Sequence, residues 1–251
     1  MENAREKPWY EQDAFWQAVA PFIFNTEQMS AASREIEQLM ALLDLQPGCK
    51  MCDLCCGIGR HSIELARRGF EVTAVDRTAL YLQDARKRAD AEQLSVRFVQ
   101  ADMRDFCRQN SFDVVVNLFT SFGYFQDPSD DRKVLANMYA SLKQGGQLLM
   151  ELAGKEVLAG IFRERDWRQE NGTIMLEERQ LTDAWGGVTC RWIILKDGKM
   201  DEYRFSHRLY SAVELRDLVQ SCGFSCAHIY GGLDGSPYDH KAKRLVLAAR
   251  K

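Results

Sequence analysis

No apolar run in this 251-residue sequence approaches the ~18 residues that a membrane-spanning helix requires. The opening stretch, MENAREKPWYEQDAFW, is charged and aromatic, and it lacks the apolar core of a secretion signal. Both absences argue against a membrane protein or a secreted one. The eight cysteines are then expected to be reduced thiols, so we predict a soluble protein of the cytoplasm.

An excess of basic residues is also missing. The 33 Lys and Arg residues are outnumbered by 36 Asp and Glu residues, which gives a formal net charge of −3. Proteins that bind nucleic acid usually cluster Lys and Arg on a basic domain. The short basic groups Arg67-Arg68 and Arg86-Lys87-Arg88 fall on predicted helices with acidic residues nearby, so we interpret them as solvated faces. We expect neither a nucleic-acid partner nor a membrane partner.

Strand-like and helix-like segments alternate through the first 150 residues, without internal repeats or low-complexity segments. Such alternation predicts βαβ units and a doubly wound, mostly parallel α/β sheet covered by helices on both faces. The predicted strands of this region are 49–54, 71–75, 96–100, 112–118 and 147–152.

The rhythm changes near residue 155. Three further strands are predicted at 173–181, 188–195 and 200–210, and the Asp197-Gly198 pair between the last two is a strong hairpin signal. We therefore predict an antiparallel β cap inserted at 155–210. The α/β pattern then resumes, and two strands at 224–230 and 244–249 complete a seven-stranded sheet with an antiparallel terminal strand.

The most informative motif runs from Asp53 to Ser62, with the sequence DLCCGIGRHS. It follows the first predicted strand and opens a helix. Gly57 and Gly59 allow the backbone to approach a ligand closely, and the free N–H groups of a helix N-terminus attract negative charge. Two glycines alone also fit an ordinary turn into a helix.

Polar residues follow the next three strands at the same edge of the sheet. Asp76 ends the second strand, where a carboxylate can accept both hydroxyl groups of a ribose. Asp102, beside the apolar Met103, follows the third strand and could accept an adenine amino group. Asn117 ends the fourth strand. A helix cap, a turn and a satisfied amide are the ordinary alternatives for the three polar residues taken singly, but open α/β sheets bind ligands at this edge.

With these motifs the sequence resembles the class I S-adenosylmethionine-dependent methyltransferases over most of its length. The resemblance rests on the 53–62 motif, Asp76, Ala101-Asp102-Met103 and the segment LKQGGQLLME that begins at Leu142. It implies a Rossmann-like cofactor domain in two parts, 1–154 (with an N-terminal helical lid) and 211–251, around the cap at 155–210. It also implies S-adenosylmethionine as the cofactor.

The resemblance further implies the roles of the cofactor-binding residues. The glycines approach the methionine moiety, Asp53 steadies their loop, Asp76 holds the ribose, and Asn117 and Leu118 flank the sulfonium. The full predicted set is Asp53, Cys55, Gly57, Gly59, Arg60, Asp76, Arg77, Asp102, Met103, Asn117 and Leu118.

The cap resembles that of small-molecule members of the family, including those that methylate amino groups of sugars or glycine. The Asn-Pro-Pro-Tyr type of signature for nucleic-acid and protein amide methylation is absent, since this chain has Asn117-Leu-Phe-Thr. We therefore predict N- or O-methylation of a small molecule by in-line displacement.

Three other interpretations stay open at this point. A nicotinamide-dinucleotide oxidoreductase would carry G-x-G-x-x-G, and the third position here is Ser62. A metal or iron–sulfur site could use Cys49, Cys52, Cys55 and Cys56, but the first two face opposite sides of a strand, so we predict no metal. A non-catalytic protein that binds S-adenosylmethionine would keep the same cofactor residues.

Candidate residues for contact with the methyl acceptor come from the N-terminal segment, the loop after the fourth strand and the cap. His207 is a candidate general base and Tyr124 a catalytic or substrate-contacting residue, while Tyr10, Tyr203 and Arg208 are candidate substrate contacts. A strand histidine without a catalytic role and an arginine paired with a surface acid are the ordinary alternatives for His207 and Arg208.

Overall fold

The computed structural model describes residues 7–251, so residues 1–6 of the predicted N-terminal lid lie outside the described residues. Eleven strands within this range form two sheets. The larger sheet has seven strands in the order β3-β2-β1-β4-β5-β11-β10. They are β1 (Lys50–Leu54), β2 (Glu71–Asp76), β3 (Val96–Gln100), β4 (Phe112–Asn117), β5 (Leu142–Leu152), β10 (Ser225–Tyr230) and β11 (Leu245–Arg250).

The direction of the strands confirms the predicted doubly wound sheet. Strands β1 to β5 pair in parallel, whereas β11 pairs antiparallel to both β5 and β10. The chain-terminal strand therefore lies inside the sheet and β10 forms its edge. Strand order reverses between β1 and β4, and ligands of doubly wound sheets bind outside the carboxyl ends of the strands at such a point.

Helices cover both faces of this sheet and bury its alternating apolar side chains. One face packs against α2 (Thr26–Leu43) and α3 (Arg60–Arg67), with Ile36, Leu39 and Leu65 in its core. The other face packs against α5 (Pro128–Ser141) and α7 (Ala212–Ser221). The helix α4 (Ala79–Ala91) packs beside β2 and β3.

The smaller sheet is antiparallel and follows α6 (Lys155–Ile161). Its strands, in spatial order, are β6 (Arg165–Glu170), β7 (Thr173–Thr182), β8 (Gly187–Lys196) and β9 (Lys199–Arg208). Sequence analysis missed β6 because its sequence, RDWRQE, is mostly charged and shows no apolar alternation. It pairs only with β7, at the edge of the sheet.

The N-terminal segment connects the two sheets. A 3₁₀ turn at Trp9–Glu11 leads into α1 (Asp13–Ile23), which contains Pro21. Phe15, Val19 and Phe22 of this helix pack into an apolar core with β7, β8 and β9, apart from the two cores of the large sheet. We call Trp9–Ile23 the lid and β6–β9 the cap. No helix of the described chain is both long and apolar enough to cross a membrane.

Candidate active site

A cavity of about 350 Å³ lies between the carboxyl ends of β1 to β4, the lid and the cap. Its floor consists of the segments that leave these strands. Its sides are the lid and the inward face of the cap. The sheet-side lining includes Asp53, Cys55, Gly57, Arg60, Asp76, Arg77, Asp102, Met103, Leu118, Phe119 and Thr120.

The loop after β1 is fixed by Asp76 of the neighbouring strand. One carboxylate oxygen of Asp76 accepts from the Gly57 N–H at 2.8 Å, and the other accepts from the Thr78 N–H at 2.8 Å. Gly57 has a φ of +57°, and a Cβ there would lie 2.8 Å from the ring of Phe24, the residue that follows α1. Burial raises the pKa of Asp76 above its ordinary value, although the two backbone hydrogen bonds oppose that shift.

The start of α3 carries a buried charge cluster. Nη1 of Arg60 donates to Glu35 Oε2 at 2.5 Å, and Nε2 of His61 lies 2.7 Å from the same oxygen. Burial raises the pKa of Glu35, but the hydrogen bond from His61 and the positive charge of Arg60 outweigh burial, so the pKa is lowered overall. The side chain of Asp53 is buried beneath the loop and accepts from the Ser62 hydroxyl at 2.5 Å.

One donor of this cluster is unsatisfied. Arg60 is 4% exposed, and its Nη2 has no hydrogen-bond partner among residues 7–251. Buried guanidinium donors are ordinarily paired, because an unmatched one loses its hydration without compensation. Arg60 lines the cavity, and an anionic group of a ligand is the kind of partner that this donor lacks.

Asp102 is held by the arginine two residues further on. Arg104 donates from Nε to Asp102 Oδ1 at 3.0 Å and from Nη2 to Asp102 Oδ2 at 2.8 Å. Burial raises the pKa of Asp102, but the hydrogen bonds from Arg104 lower it below its ordinary value. Asp102 is therefore ionised at neutral pH. Beside it, Met103 Sδ lies 3.6 Å from the thiol of Cys55.

The loop after β4 has an unusual backbone. Phe119 and Thr120 both have a φ of +59°, a left-handed conformation that costs non-glycine residues roughly 1–3 kcal/mol each. Glu151, at the end of β5, accepts from the Phe119 N–H at 3.0 Å through its side chain. Arg244 donates to Glu151 at 2.7 Å and to the Thr120 hydroxyl at 2.9 Å. These contacts hold the loop in its strained form.

The cap contributes an apolar wall with two polar groups. Phe205 and Cys190 are buried there, and His207 and Trp192 also line the cavity. Burial lowers the pKa of His207 to about 4, so its imidazole is neutral at pH 7. The indole Nε1 of Trp192 is buried and has no hydrogen-bond partner in the part of the chain that the structure describes.

Aromatic rings of the lid pack against Tyr124, which also lines the cavity. The ring centroid of Trp9 lies 4.8 Å from that of Tyr124 and 5.1 Å from that of Phe205. The Trp9 indole donates to the backbone oxygen of Ser206 at 3.0 Å, which ties the lid to the cap. The Tyr124 hydroxyl donates to the Thr120 backbone oxygen at 3.0 Å. The cavity is thus closed over by aromatic surface.

Most of the sequence-predicted site residues line this cavity, and four do not. Gly59 forms the N-cap of α3, and Asn117 is fully buried behind the loop, where its amide donates to the backbone oxygens of Leu54 and Ser121. Tyr203 packs against Phe15.

Arg208 is the fourth predicted residue outside the cavity lining. Its guanidinium pairs with Asp131, a fully buried carboxylate, and also donates to the Gln126 backbone oxygen at 3.0 Å. The Tyr210 hydroxyl donates to the same carboxylate at 2.7 Å. The contacts of Arg208 thus join the end of the cap to α5 and do not point to a substrate role.

Several residues at or around the cavity were missed by sequence analysis. Glu151, Arg244 and Arg104 do not line the cavity but hold residues that do, and Trp192 lies on an inward-facing position of β8. Alternation along β8 could have predicted that Trp192 shares a face with Cys190 and Ile194. No local pattern marks the other three. In the described part of the chain, no group of three or more His, Cys, Asp or Glu residues could hold a metal ion.

Comparison with known proteins identifies the type of domain that carries the sheet side of the cavity. Residues 51–146 match the family described as methyltransferase domain. A glycine/sarcosine N-methyltransferase from Aphanothece halophytica is 36% identical over 104 residues, which are 41% of this chain and 39% of that protein. A Geobacillus sp. (strain WCH70) protein, provisionally named a methyltransferase, is 23% identical over 256 residues, 96% of this chain and 99% of its own length.

A solved structure extends the likeness to the whole fold. The S-adenosylmethionine-dependent methyltransferase from Clostridium acetobutylicum ATCC 824 matches with a TM-score of 0.78 at 17% identity, over 95% of this chain and 98% of that chain. The sheet order and the surrounding helices give the chain a Rossmann-like methyltransferase fold. Residues 51–146 match the methyltransferase-domain family, and this match, together with the fold, supports an S-adenosylmethionine-dependent methyltransferase.

Proposed function

We propose that this enzyme methylates a small molecule on nitrogen or oxygen, with S-adenosylmethionine and acceptor both held in the cavity between sheet, lid and cap. The observation that carries the proposal is the unpaired donor of Arg60 in that cavity. S-adenosylmethionine carries a carboxylate, and a buried guanidinium N–H without a partner suits such a group. Bound there, the cofactor supplies an activated methyl group on a sulfonium.

The remaining cofactor contacts follow from the order of the strands. In our proposal the Gly57 loop approaches the methionine moiety, Asp76 accepts from the ribose hydroxyls, and Asp102 accepts from the adenine amino group beside Met103. Asp76 and Asp102 already accept hydrogen bonds from protein donors. Since each carboxylate oxygen can accept more than one hydrogen bond, both side chains keep capacity for a ligand.

The enclosed geometry supports a small acceptor. Lid and cap cover the cavity with aromatic and apolar side chains, and closure excludes water from a displacement reaction. The similarity to a glycine/sarcosine N-methyltransferase adds support for a small acceptor and for nitrogen as one target. The protein's own task is then to orient the acceptor and to keep water out.

Three side chains are our candidates on the acceptor side. His207 is neutral at pH 7 and can accept a hydrogen bond or a proton from the acceptor. The unpaired Trp192 Nε1–H can donate one. Tyr124, whose hydroxyl proton is directed to Thr120, presents its ring and its oxygen lone pairs. We also propose a cytoplasmic location, since all eight cysteines are free.

The acceptor class can be tested by methyl transfer. The enzyme would be incubated with S-adenosylmethionine radiolabelled on the methyl group and with two pools, one of small amines, phenols and alcohols, the other of tRNA and protein. We expect label only in the small-molecule pool, and a loss of transfer in His207→Ala and Trp192→Phe. Label in the macromolecular pool alone would refute the proposed acceptor class. A matched control is Cys226→Ala, at an exposed thiol on β10 outside the cavity lining.

A further inference from the structure

Phe119 lies between two guanidinium groups at the edge of the cavity. The guanidinium carbon of Arg60 is 5.1 Å from the Phe119 ring centroid, and that of Arg244 is 5.7 Å from it. Arg60 belongs to the start of α3, whereas Arg244 immediately precedes β11. The ring thus connects the cofactor-side arginine to a residue from the far end of the chain.

Glu151 makes this arrangement possible in two ways. Glu151 is 7% exposed, and its carboxylate accepts from Arg244 and neutralises a positive charge that packs on the same ring as the one on Arg60. The same carboxylate accepts the Phe119 N–H, which fixes the backbone of a residue in the left-handed region. Thr120 is fixed as well, because its hydroxyl accepts from Arg244 and from the Ala153 N–H.

We propose that Glu151 and Arg244 are positioning residues for cofactor binding: they hold Phe119 in its strained backbone conformation, and the Phe119 ring in turn orients Arg60 toward the carboxylate of the cofactor. This inference rests on the proposed role of Arg60. Without Glu151, the Phe119 N–H loses its acceptor and Arg244 its neutralising partner, so the loop relaxes and the Arg60 guanidinium loses its packing surface.

The test uses two nucleosides that differ in the amino acid group, whose carboxylate is the proposed partner of Arg60 and whose amino group is absent together with it. S-adenosylhomocysteine and 5′-methylthioadenosine are both uncharged at sulfur and share the adenosine group, but only the first carries the amino acid carboxylate. Binding of each is measured by calorimetry on the whole protein, for wild type, Glu151→Gln, Arg244→Lys and Arg60→Gln. Thermal unfolding is followed in parallel.

For Glu151→Gln we expect binding of S-adenosylhomocysteine to weaken about tenfold and binding of 5′-methylthioadenosine to change less than about twofold. Arg244→Lys keeps the charge and loses part of the hydrogen bonding, so its effect has the same ligand selectivity and is smaller. In the Arg60→Gln background, Glu151→Gln should have no further effect on either ligand.

The matched control is Asp113→Asn. It breaks a 2.6 Å ion pair with Lys143 near the amino-terminal end of β4, away from the cavity, and should leave both affinities unchanged. An equal loss for both ligands, an unchanged affinity for S-adenosylhomocysteine, or additivity with Arg60→Gln would each overturn the positioning role. If wild type binds neither nucleoside, the proposed cofactor site itself is wrong. If Arg60→Gln alone shows the selective loss, the proposed cofactor site stands and only the positioning role of Glu151 and Arg244 is wrong. Should Glu151→Gln fail to fold, Arg244→Lys decides by the same ligand comparison.

Discussion

The carboxylate of Glu11, in the lid, lies 3.2 Å from the guanidinium of Arg104, the residue that also holds Asp102. The contact joins the lid to the site proposed for adenine. Arg77, next to Asp76, makes a similar connection: it donates to the Glu11 backbone oxygen and lies 3.4 Å from Asp13. The lid is therefore linked, through Arg104 and Arg77, to the segments that carry both predicted nucleoside-binding carboxylates.

Breaking this contact should speed the exchange of ligand. The Glu11–Arg104 pair is partly exposed, so it is worth at most about 1 kcal/mol, which corresponds to roughly a fivefold change in a rate. We expect Glu11→Gln to raise the dissociation rate of S-adenosylhomocysteine by up to about fivefold, measured by stopped-flow tryptophan fluorescence. Glu27→Gln, at an exposed position of α2, is the matched control and should not alter the rate. An unchanged rate in Glu11→Gln would show that the pair does not restrain the lid.

Loss of the buried Asp131 carboxylate should destabilise the protein without weakening cofactor binding. Asp131 is fully buried and accepts from Arg208 and Tyr210, so Asp131→Asn leaves Arg208 without its anionic partner. We expect a loss of about 3 kcal/mol in the free energy of unfolding, measured with urea. Asp217→Asn breaks an exposed pair with Arg216 and should change stability by less than about 0.5 kcal/mol. Equal effects of the two substitutions would contradict this account of Arg208.

The burial of His207 predicts a specific dependence of stability on pH. Its pKa is about 4 in the folded protein and about 6.5 when exposed, so the unfolded chain binds a proton more readily as pH falls from 6.5 toward 4. Stability is therefore retained above pH 6.5 and lost below it. From the two pKa values, His207 contributes a loss of about 1.5 kcal/mol between pH 6.5 and pH 5.

Urea unfolding of His207→Gln and wild type at several pH values tests this dependence. The variant should lose less stability than wild type as pH falls through this range. His228→Gln, at an exposed position of β10, should follow the wild-type curve. Parallel curves for wild type and His207→Gln would mean that His207 is not held neutral in the fold.

The parallel sheet was predictable because its strands are short apolar runs between clear turn signals. The predicted strand at 96–100 coincides with β3, and the apolar run at 112–118 became β4. The charged strand β6 carries no such signal, and its position is set by backbone pairing with β7. Local pattern therefore predicted the interior of the fold better than the edge of the cap.

Within the site, the residues that follow the strands were predictable, since parallel strands bring their carboxyl ends together. The cavity contacts of Asp76 and Asp102 follow from this rule, although their roles in binding remain predictions. Contacts between distant segments gave no sequence signal. Glu11 and Arg104 are 93 residues apart, and so are Glu151 and Arg244. Such ion pairs depend on how the segments pack, which the order of residues alone does not reveal.

The most direct test of the account is a calorimetric titration of the purified protein with S-adenosylmethionine, S-adenosylhomocysteine and NADH, repeated on Asp76→Ala. We predict micromolar binding of both methionine nucleosides and no comparable binding of NADH. We also predict at least a tenfold loss of affinity in the variant, because Asp76 supports the Gly57 loop and lines the cavity where we propose that the ribose binds. Preference for NADH, or wild-type affinity in Asp76→Ala, would contradict the proposed cofactor site.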